Sequence, residues 1–357
     1  MIKKAFIVNS ERIELPIIGQ GGIDTADKYR KEYAGTKKQI KALQYGIEQG
    51  MTFIDTAEIY SAGHSEEIVG KAIAGHRSEV IIATKFSPEH SRYQDVIDAA
   101  ERSLKRLNTD YIDIYQIHWP NPSVPLEETL QAMKRLVEQG KVRFIGVSNF
   151  YKKNLEKAKL LLNNTPLFSD QLEFNLFDRF GANSVLSYCQ KNNIAFLSYS
   201  PLNKGNLDFA YKRLEKIATF YNKTVSQISL NWLTYHQNVI VIVKAVKKEH
   251  IKQNAEVAKF CISADHYKEI DRLFSFKPIY IDIDNIHTNF INSKDRLNSI
   301  KLAEEILKGD SIKPIRVIKN LKTHVPFDYE LVEGWVRYLA WAIAYNNKQP
   351  IPAFLIE

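Results

Sequence analysis

Residues 79–119, EVIIATKFSPEHSRYQDVIDAAERSLKRLNTDYIDIYQIHW, decide the fold of this chain. Two short runs rich in β-branched residues, EVIIATKF (79–86) and DIYQIHW (113–119), flank the stretch YQDVIDAAERSLKRLN (93–108). Apolar residues recur in that stretch at the three- and four-residue spacing of an amphipathic helix, at Ile97, Ala100, Leu104 and Leu107. The segment therefore predicts a strand, a helix and a second strand parallel to the first.

The same alternation continues in both directions along the chain. The further strand candidates are IELPIIGQGG (13–22), TFIDTA (52–57), RFIGVSNF (143–150), SDQLEFN (169–175), AFLSYSP (195–201) and VIVIVKA (239–245). Eight strands that alternate with helices over about 250 residues predict an α/β fold, a (β/α)₈ TIM barrel. A doubly wound sheet is the competitor, but no G-x-G-x-x-G follows a strand, and GQGG (19–22) has the wrong spacing for that fingerprint.

Length and composition limit the class of protein. The chain has 357 residues, of which 45% are hydrophobic and 25% charged, so it can bury a core and suggests two domains. Its two cysteines exclude a disulfide framework. The N-terminus lacks the apolar region of a signal peptide, and no apolar run approaches the ~20 residues of a membrane span. We therefore expect a soluble cytoplasmic protein that does not associate with a membrane.

The formal net charge of +8 raises the question of nucleic-acid binding. From Lys277 onward the basic and acidic residues nearly balance, and the remaining excess is spread over helical stretches such as KYRKEYAGTKKQIK (28–41). Solvated helix faces explain such a distribution better than a nucleic-acid footprint does. The sequence therefore argues against a nucleic-acid partner.

Four reactive side chains stand at or just after the ends of three successive strands. Asp55 follows TFI, Tyr60 comes five residues later, Lys85 ends VIIATK, and His118 ends IYQIH. Barrel enzymes carry their catalytic groups at these strand ends. A lysine ammonium about 4 Å from a phenol oxygen favours the phenolate by roughly 4 kcal/mol at an effective dielectric constant near 20. Lys85 would thereby make Tyr60 a usable acid, while Asp55 keeps Lys85 charged and His118 orients a carbonyl oxygen.

Each of these residues also has a structural interpretation. Asp55 could cap the next helix, Tyr60 could be a rim aromatic, and Lys85 could be a surface lysine. His118 taken alone is more often a hydrogen-bonded core histidine than a catalytic one. The coincidence of all four at consecutive strand ends favours the catalytic interpretation.

The motifs around these residues resemble those of the aldo-keto reductase superfamily. The matching stretches are DTAEIYSAGHSEEIVGKAI, IIATKF, YIDIYQIHWP, GKVRFIGVSNF, QLEFN and SYSPL, in the family's order, over residues ~10–275. The resemblance implies a barrel, residues 1–276, that binds a nicotinamide dinucleotide across its mouth without a Rossmann fold. It makes Asp55, Tyr60, Lys85 and His118 the catalytic tetrad, with Tyr60 as the general acid.

The resemblance also implies a cofactor site. Ser148, Asn149 and Gln171 would bind the nicotinamide carboxamide, and Tyr199 would stack on its ring. The pyrophosphate side would meet Ser200 and Leu202, and the backbone would approach closely at Gly21 and Gly22. Trp119 and Ile23 would line the substrate pocket and give it an apolar wall.

The adenosine end departs from the family pattern. The stretch VIVKAVKKEHIKQN (241–254) lacks the expected proline, and it has His250 in place of the expected arginine and Gln253 in place of a glutamate. Lys244 and Asn254 remain. Because lysines could bind a 2′-phosphate, NADP(H) is favoured over NAD(H).

The last eighty residues form a separate small α+β pattern. A strand in PIYIDIDNI, a helix in SIKLAEEILKG, a strand in PIRVIK, a turn and helix in YELVEGWVRYLAWAIAY, and a strand in PIPAFLIE resemble the ParB/sulfiredoxin-like superfamily. This resemblance covers residues 277–357 and implies a nucleotide-phosphate site near Arg337. Trp335 and Val336 replace the family's polar pair, so we expect a degenerate nucleotide pocket or a docking module for a protein partner.

Three functions remain open from the sequence. The first is an NAD(P)-dependent oxidoreductase that reduces an aldehyde or ketone, or oxidises the alcohol, by hydride transfer in a dedicated biosynthetic pathway. The second is a nucleotide-binding sensor or subunit without turnover. The third is a bifunctional protein whose C-terminal domain transfers phosphate from a nucleotide.

Overall fold

The computed structural model describes residues 1–22, 35–179, 182–275, 278–288, 293–307, 312–320 and 327–355. The chain divides into two compact units, Met1–Leu273 and Phe274–Glu357.

The first unit is a closed barrel of eight parallel strands. An N-terminal hairpin of β1 (Lys3–Val8) and β2 (Glu11–Pro16) precedes the barrel. The barrel strands are β3 (Ile18–Gly21), β4 (Phe53–Asp55), β5 (Ile81–Phe86), β6 (Ile112–Ile117), β7 (Val142–Ser148), β8 (Leu167–Glu173), β9 (Ala195–Tyr199) and β10 (Val239–Val243). Strand β10 pairs with β3 and closes the barrel. The predicted (β/α)₈ architecture is therefore confirmed.

Helices connect successive strands on the outside of the barrel. They are α1 (Thr36–Glu48), α2 (His64–Ala72), α3 (Tyr93–Leu107), α4 (Leu126–Glu138), α5 (Lys152–Leu162), α6 (Ala182–Lys191), α7 (Asp208–Phe220), α8 (Val225–Tyr235), α9 (Lys248–Glu256) and α10 (Ala264–Leu273). Helix α3 shows why they form, because it buries one apolar stripe that includes Val96, Ala100 and Leu104. Its chain reverses at Asn108, which adopts the left-handed conformation common at helix C-termini.

The stretch IELPIIGQGG is two elements rather than the single strand expected. Its first part ends β2 at Pro16, and its second part is β3. Strand β2 pairs with β1 through a tight turn at Asn9 and Ser10, which both have positive φ. Apolar side chains of this hairpin pack into the barrel core, Phe6, Val8, Ile13 and Leu15.

In its described residues, the second unit has a five-stranded mixed sheet and two α-helices. Its strands are β11 (Ile279–Ile281), β12 (Ile286–His287), β13 (Ile315–Lys319), β14 (Tyr329–Glu333) and β15 (Ile351–Leu355), in the order β11-β15-β13-β14-β12. Its helices are α11 (Ser293–Leu307) and α12 (Trp335–Tyr345). The sequence pattern did not predict β14. That strand ends where Gly334 takes a φ of 105° before α12.

Within the ranges described above, no helix is long and apolar enough to cross a membrane.

Candidate active site

The C-terminal ends of the barrel strands bring the four predicted catalytic residues together. Asp55 is the last residue of β4, Lys85 is the penultimate residue of β5, and His118 follows β6 directly. Tyr60 lies in the loop between β4 and α2. Parallel strands end on the same rim, which is why residues 30 or more positions apart in the chain become neighbours.

Lys85 and Asp55 form a buried ion pair. Lys85 Nζ donates to Asp55 Oδ2 at 2.7 Å and to the carbonyl oxygen of Thr56 at 2.8 Å. Lys85 is 0% and Asp55 3% exposed. Burial lowers the pKa of Lys85, and the attraction of the Asp55 carboxylate opposes that shift. Asp55 therefore both aims the ammonium and supports its charge.

Tyr60 lies beside this ammonium and beside His118. Lys85 Nζ is 5.2 Å from the centroid of the Tyr60 ring. The rings of Tyr60 and His118 are 5.7 Å apart, edge to face. Trp119 stacks on His118 at 3.8 Å and is 36% exposed, so it offers an aromatic wall next to the imidazole. A phenol, an ammonium and an imidazole thus converge at one point of the rim.

The predicted carboxamide ligands form one connected hydrogen-bond network with this centre. Gln171 Nε2 donates to Asp55 Oδ1 at 2.7 Å, and Ser148 Oγ donates to the Gln171 carbonyl oxygen at 2.9 Å. Asn149 Nδ2 donates to the His118 carbonyl oxygen at 2.9 Å, and Tyr199 donates its hydroxyl hydrogen to Asn149 Oδ1 at 3.0 Å. Burial raises the pKa of Tyr199, so its phenol stays protonated.

The two glycines at the end of β3 differ in how closely neighbouring residues pack against them. Gly22 N donates to the Asp55 carbonyl oxygen at 2.5 Å. A Cβ at Gly22 would lie 2.6 Å from Ser65 Oγ, whereas one at Gly21 would lie 3.3 Å from Ile242 Cγ2. A side chain at Gly22 would therefore displace Ser65, whereas one at Gly21 needs a shift of only a few tenths of an ångström.

The remaining predicted residues lie farther along the rim. Ser200 follows β9 with a φ of 49°, and its carbonyl oxygen accepts from Asn175 Nδ2 at 3.1 Å. Leu202 is half-buried, and Lys244 is exposed just after β10. Asn254 is 7% exposed in α9. Ile23 lies outside the described residues.

Glu58, which lies between Asp55 and Tyr60, is a buried residue of this site that the sequence motifs did not single out. Its side chain is 8% exposed, and Oε1 accepts from the backbone nitrogen of Ser87 at 2.7 Å. The available signal was its place in DTAEIY, because a carboxylate so close to a buried strand end needs partners.

Arg337 belongs to the second unit and contacts residues of the same unit. Arg337 Nη1 donates to the carbonyl oxygens of Lys313 and Pro314 at 3.0 and 2.7 Å. Nη2 lies 3.6 Å from Glu333 Oε1. These contacts connect the first turn of α12 to the segment that precedes β13 and to Glu333 at the end of β14.

Comparison with known proteins agrees with this geometry. Residues 17–274 match the aldo/keto reductase family. A methylglyoxal reductase of Escherichia coli K12 is 35% identical over 278 residues, 76% of this chain and 96% of that protein. A glyoxal reductase of Bacillus subtilis is 35% identical over 236 residues, 65% of this chain and 82% of that protein.

Solved structures match the barrel. A thermostable aldo-keto reductase bound to epalrestat superposes with a TM-score of 0.72 at 39% identity, covering 76% of this chain and all of that one. An aldo/keto reductase of Klebsiella pneumoniae bound to NADP and acetate gives 0.69 at 34% identity, covering 76% of this chain and 95% of that one. The chain therefore belongs to the aldo/keto reductase family and is an NAD(P)-dependent oxidoreductase.

Proposed function

We propose that the protein reduces an aldehyde or ketone to an alcohol with NADPH, with Tyr60 as the general acid. The observation that carries the proposal is the position of the buried Lys85–Asp55 pair against the Tyr60 ring, 5.2 Å from ammonium to ring centroid. A buried ammonium stabilises the phenolate that remains after the proton leaves.

Each residue of the centre has a defined task. Bound NADPH supplies the hydride that reaches the carbonyl carbon. Tyr60 gives its hydroxyl proton to the carbonyl oxygen, while Lys85 stabilises the phenolate and Asp55 holds Lys85 in place. His118, which faces the edge of Tyr60, orients the carbonyl oxygen. Solvent returns the proton to Tyr60 after the alcohol leaves.

The residues present fit a nicotinamide carboxamide. Ser148, Asn149 and Gln171 are fixed by mutual hydrogen bonds, so they would be preorganised for an amide. Lys244 just after β10 is exposed, as are Lys247 and Lys248 at the start of α9, and all three would attract a 2′-phosphate. Solved relatives bound to NADP support the choice of NADP(H) over NAD(H).

The names of two relatives and the aromatic wall beside His118 indicate the class of substrate. Two relatives are named as reductases of methylglyoxal and glyoxal, which are small dicarbonyl compounds. The Trp119 ring stacked on His118 gives a planar apolar wall suited to a small carbonyl compound. We propose small 2-oxo aldehydes as the first substrates to test, and the association with a second unit favours a role in a dedicated pathway.

The decisive experiment combines cofactor titration with turnover. We expect NADPH to bind more tightly than NADH, and NADPH oxidation with 2-oxo aldehydes to fall by about 10²–10⁴-fold in Tyr60→Phe, the range that general acids contribute. NADPH binding by Tyr60→Phe should match the wild type. Tyr211→Phe, an exposed tyrosine on α7, is the control and should turn over normally.

The same experiment separates the reductase from a nucleotide sensor. NADPH binding without turnover on a broad carbonyl panel would favour the sensor. Turnover that survives in Tyr60→Phe would remove Tyr60 as the acid.

For residues 277–357 we propose a distinct domain with a docking role, related to the ParB/sulfiredoxin-like superfamily. The family match ends at residue 274, and the engagement of Arg337 with local carbonyl groups supports docking over phosphate transfer. Nucleotide hydrolysis or phosphate transfer that disappears in Arg337→Ala would instead support the bifunctional alternative.

A further inference from the structure

The loop that carries Tyr60 has a strained backbone. Ser61 has φ 51° and ψ 42°, and Ala62 has φ 52° and ψ 41°, both in the left-handed region. Gly63 follows with a φ of 89°. Residues with a Cβ persist in this conformation only where surrounding contacts hold them. Something in the neighbourhood must therefore hold the loop in place.

Glu58 provides such contacts two residues before Tyr60. Its backbone nitrogen donates to the Lys85 carbonyl oxygen at 3.0 Å. Its side-chain Oε1 accepts from the backbone nitrogen of Ser87 at 2.7 Å and lies 2.6 Å from His90 Nδ1. The loop is thus tied twice to the end of β5, the strand that carries Lys85.

The hydrogen bond from the Ser87 amide to Glu58 Oε1 is the contact that depends on the Glu58 side chain. Ser87 is the first residue after β5, and its amide has left the sheet ladder. A buried backbone amide without an acceptor lowers the stability of the fold. The Glu58 carboxylate supplies that acceptor for the amide of Ser87. Arg102 Nη2 lies 3.8 Å from Glu58 Oε2 and His90 is 39% exposed, so the carboxylate meets positive or hydrogen-bonding groups on its outer side.

We propose that Glu58 is a positioning residue that sets the placement of Tyr60 relative to Lys85 and His118. This inference rests on the proposed function, because it assigns Glu58 to the same proton-transfer step. The carboxylate fastens the Tyr60 loop to the Lys85 strand and so holds the strained turn. It does not contact the reacting atoms.

Two substitutions remove the tie from opposite sides. Glu58→Ala deletes the acceptor, whereas Glu58→Gln keeps an oxygen that can accept from Ser87. Ser87→Pro deletes the amide hydrogen and also the hydroxyl that donates to Glu89, and the φ of −74° at Ser87 is one that proline adopts. Ser87→Ala keeps the amide and is the matched control.

We expect Glu58→Ala and Ser87→Pro to lower kcat by about 10- to 100-fold, the cost of misplacing a catalytic group by about 1 Å. The dissociation constant of NADPH should stay unchanged, and Glu58→Gln and Ser87→Ala should stay within about threefold of the wild-type kcat. Hydrogen exchange of residues 56–63 should accelerate in the first two variants only.

Wild-type kcat in Glu58→Ala, or equal loss in Glu58→Ala and Glu58→Gln, would overturn the proposal. If Glu58→Ala fails to fold, the kcat of Ser87→Pro compared with that of Ser87→Ala tests the proposal instead. A wild type that turns over no carbonyl refutes the proposed function instead, and hydrogen exchange of residues 56–63 still tests whether Glu58 holds the loop.

Discussion

At the scale of single residues, Asp170 is one of the buried carboxyl groups that the proposed chemistry does not use. It lies on β8 next to Gln171 and is 0% exposed. Burial raises the pKa of Asp170 well above its usual range, and the backbone amides of Phe150 and Gln171 offset only part of that effect. The protonated acid is therefore the form that the folded barrel favours.

Because the folded pKa of Asp170 is raised, its contribution to stability is complete below about pH 3.9 and is lost as the pH rises through the folded pKa. Asp170→Asn cannot ionise, so we expect it to be more stable than the wild type at pH 8, by about 1.4 kcal/mol for each unit of raised pKa below pH 8.

Thermal unfolding of Asp170→Asn and wild type at pH 8 and pH 4.5 measures this difference. The advantage of the variant should shrink at the lower pH. Asp110→Asn, which replaces an exposed carboxylate, should show neither effect. A variant less stable than the wild type at pH 8 would mean that the ionised carboxylate is favoured in the fold.

The sequence predicted which side chains form the site better than it predicted the hydrogen bonds that hold them in place. Asp55, Lys85 and His118 could be found because strand ends are recognisable and parallel strands share a rim. Glu58 was harder to find, because DTAEIY shows a carboxylate near a strand end but not that it accepts from the backbone nitrogen of Ser87, a group with no signature in the sequence. The contacts of Arg337 with two carbonyl oxygens escaped for the same reason.

At the scale of elements, the residue composition and length of the apolar runs predicted the barrel strands. The elements that were not predicted, the N-terminal hairpin and β14, are delimited by short turns. The turn of the N-terminal hairpin is two residues with positive φ, Asn9 and Ser10, a short signal that is easily overlooked. In the second unit, the short strand β14 directly precedes α12, and Gly334 separates the two. Apolar periodicity does not separate such adjoining elements.

Gly146 in β7 shows how closely neighbouring strands pack inside the barrel. A Cβ at Gly146 would lie 2.3 Å from Ser169 Oγ on β8 and 2.8 Å from Gln116 Cγ on β6. Those residues are paired with Gly146 in the sheet register. The interior at this level therefore has no room for a methyl group on β7.

We expect Gly146→Ala to destabilise the protein by about 1–3 kcal/mol through this overpacking. Adding Ser169→Ala removes the closest contact, so the double variant should be less destabilised than the sum of the single variants, by at least about 0.5 kcal/mol. Chemical denaturation of the four proteins measures the coupling. Strict additivity would show that the strands move apart rather than clash at Ser169.

At the scale of the whole molecule, each unit contains its own apolar core. The barrel core includes Phe53, Ile114 and Leu197 from its strands. The second unit buries a separate set of apolar side chains, including Ile315, Val317 and Ala353 from its sheet. Two cores in one chain argue that each unit can fold without the other.

We therefore expect residues 1–275 alone to fold, to bind NADPH, and to reduce carbonyl substrates within about twofold of the full chain. The tetrad, the carboxamide ligands and Glu58 all lie in the first unit, and the family match ends at residue 274. The match to the E. coli relative covers 96% of that protein but 76% of this chain. NADPH titration and turnover of the shortened and full chains provide the comparison. A shortened chain that folds and binds NADPH but turns over far more slowly would show that the second unit takes part in catalysis.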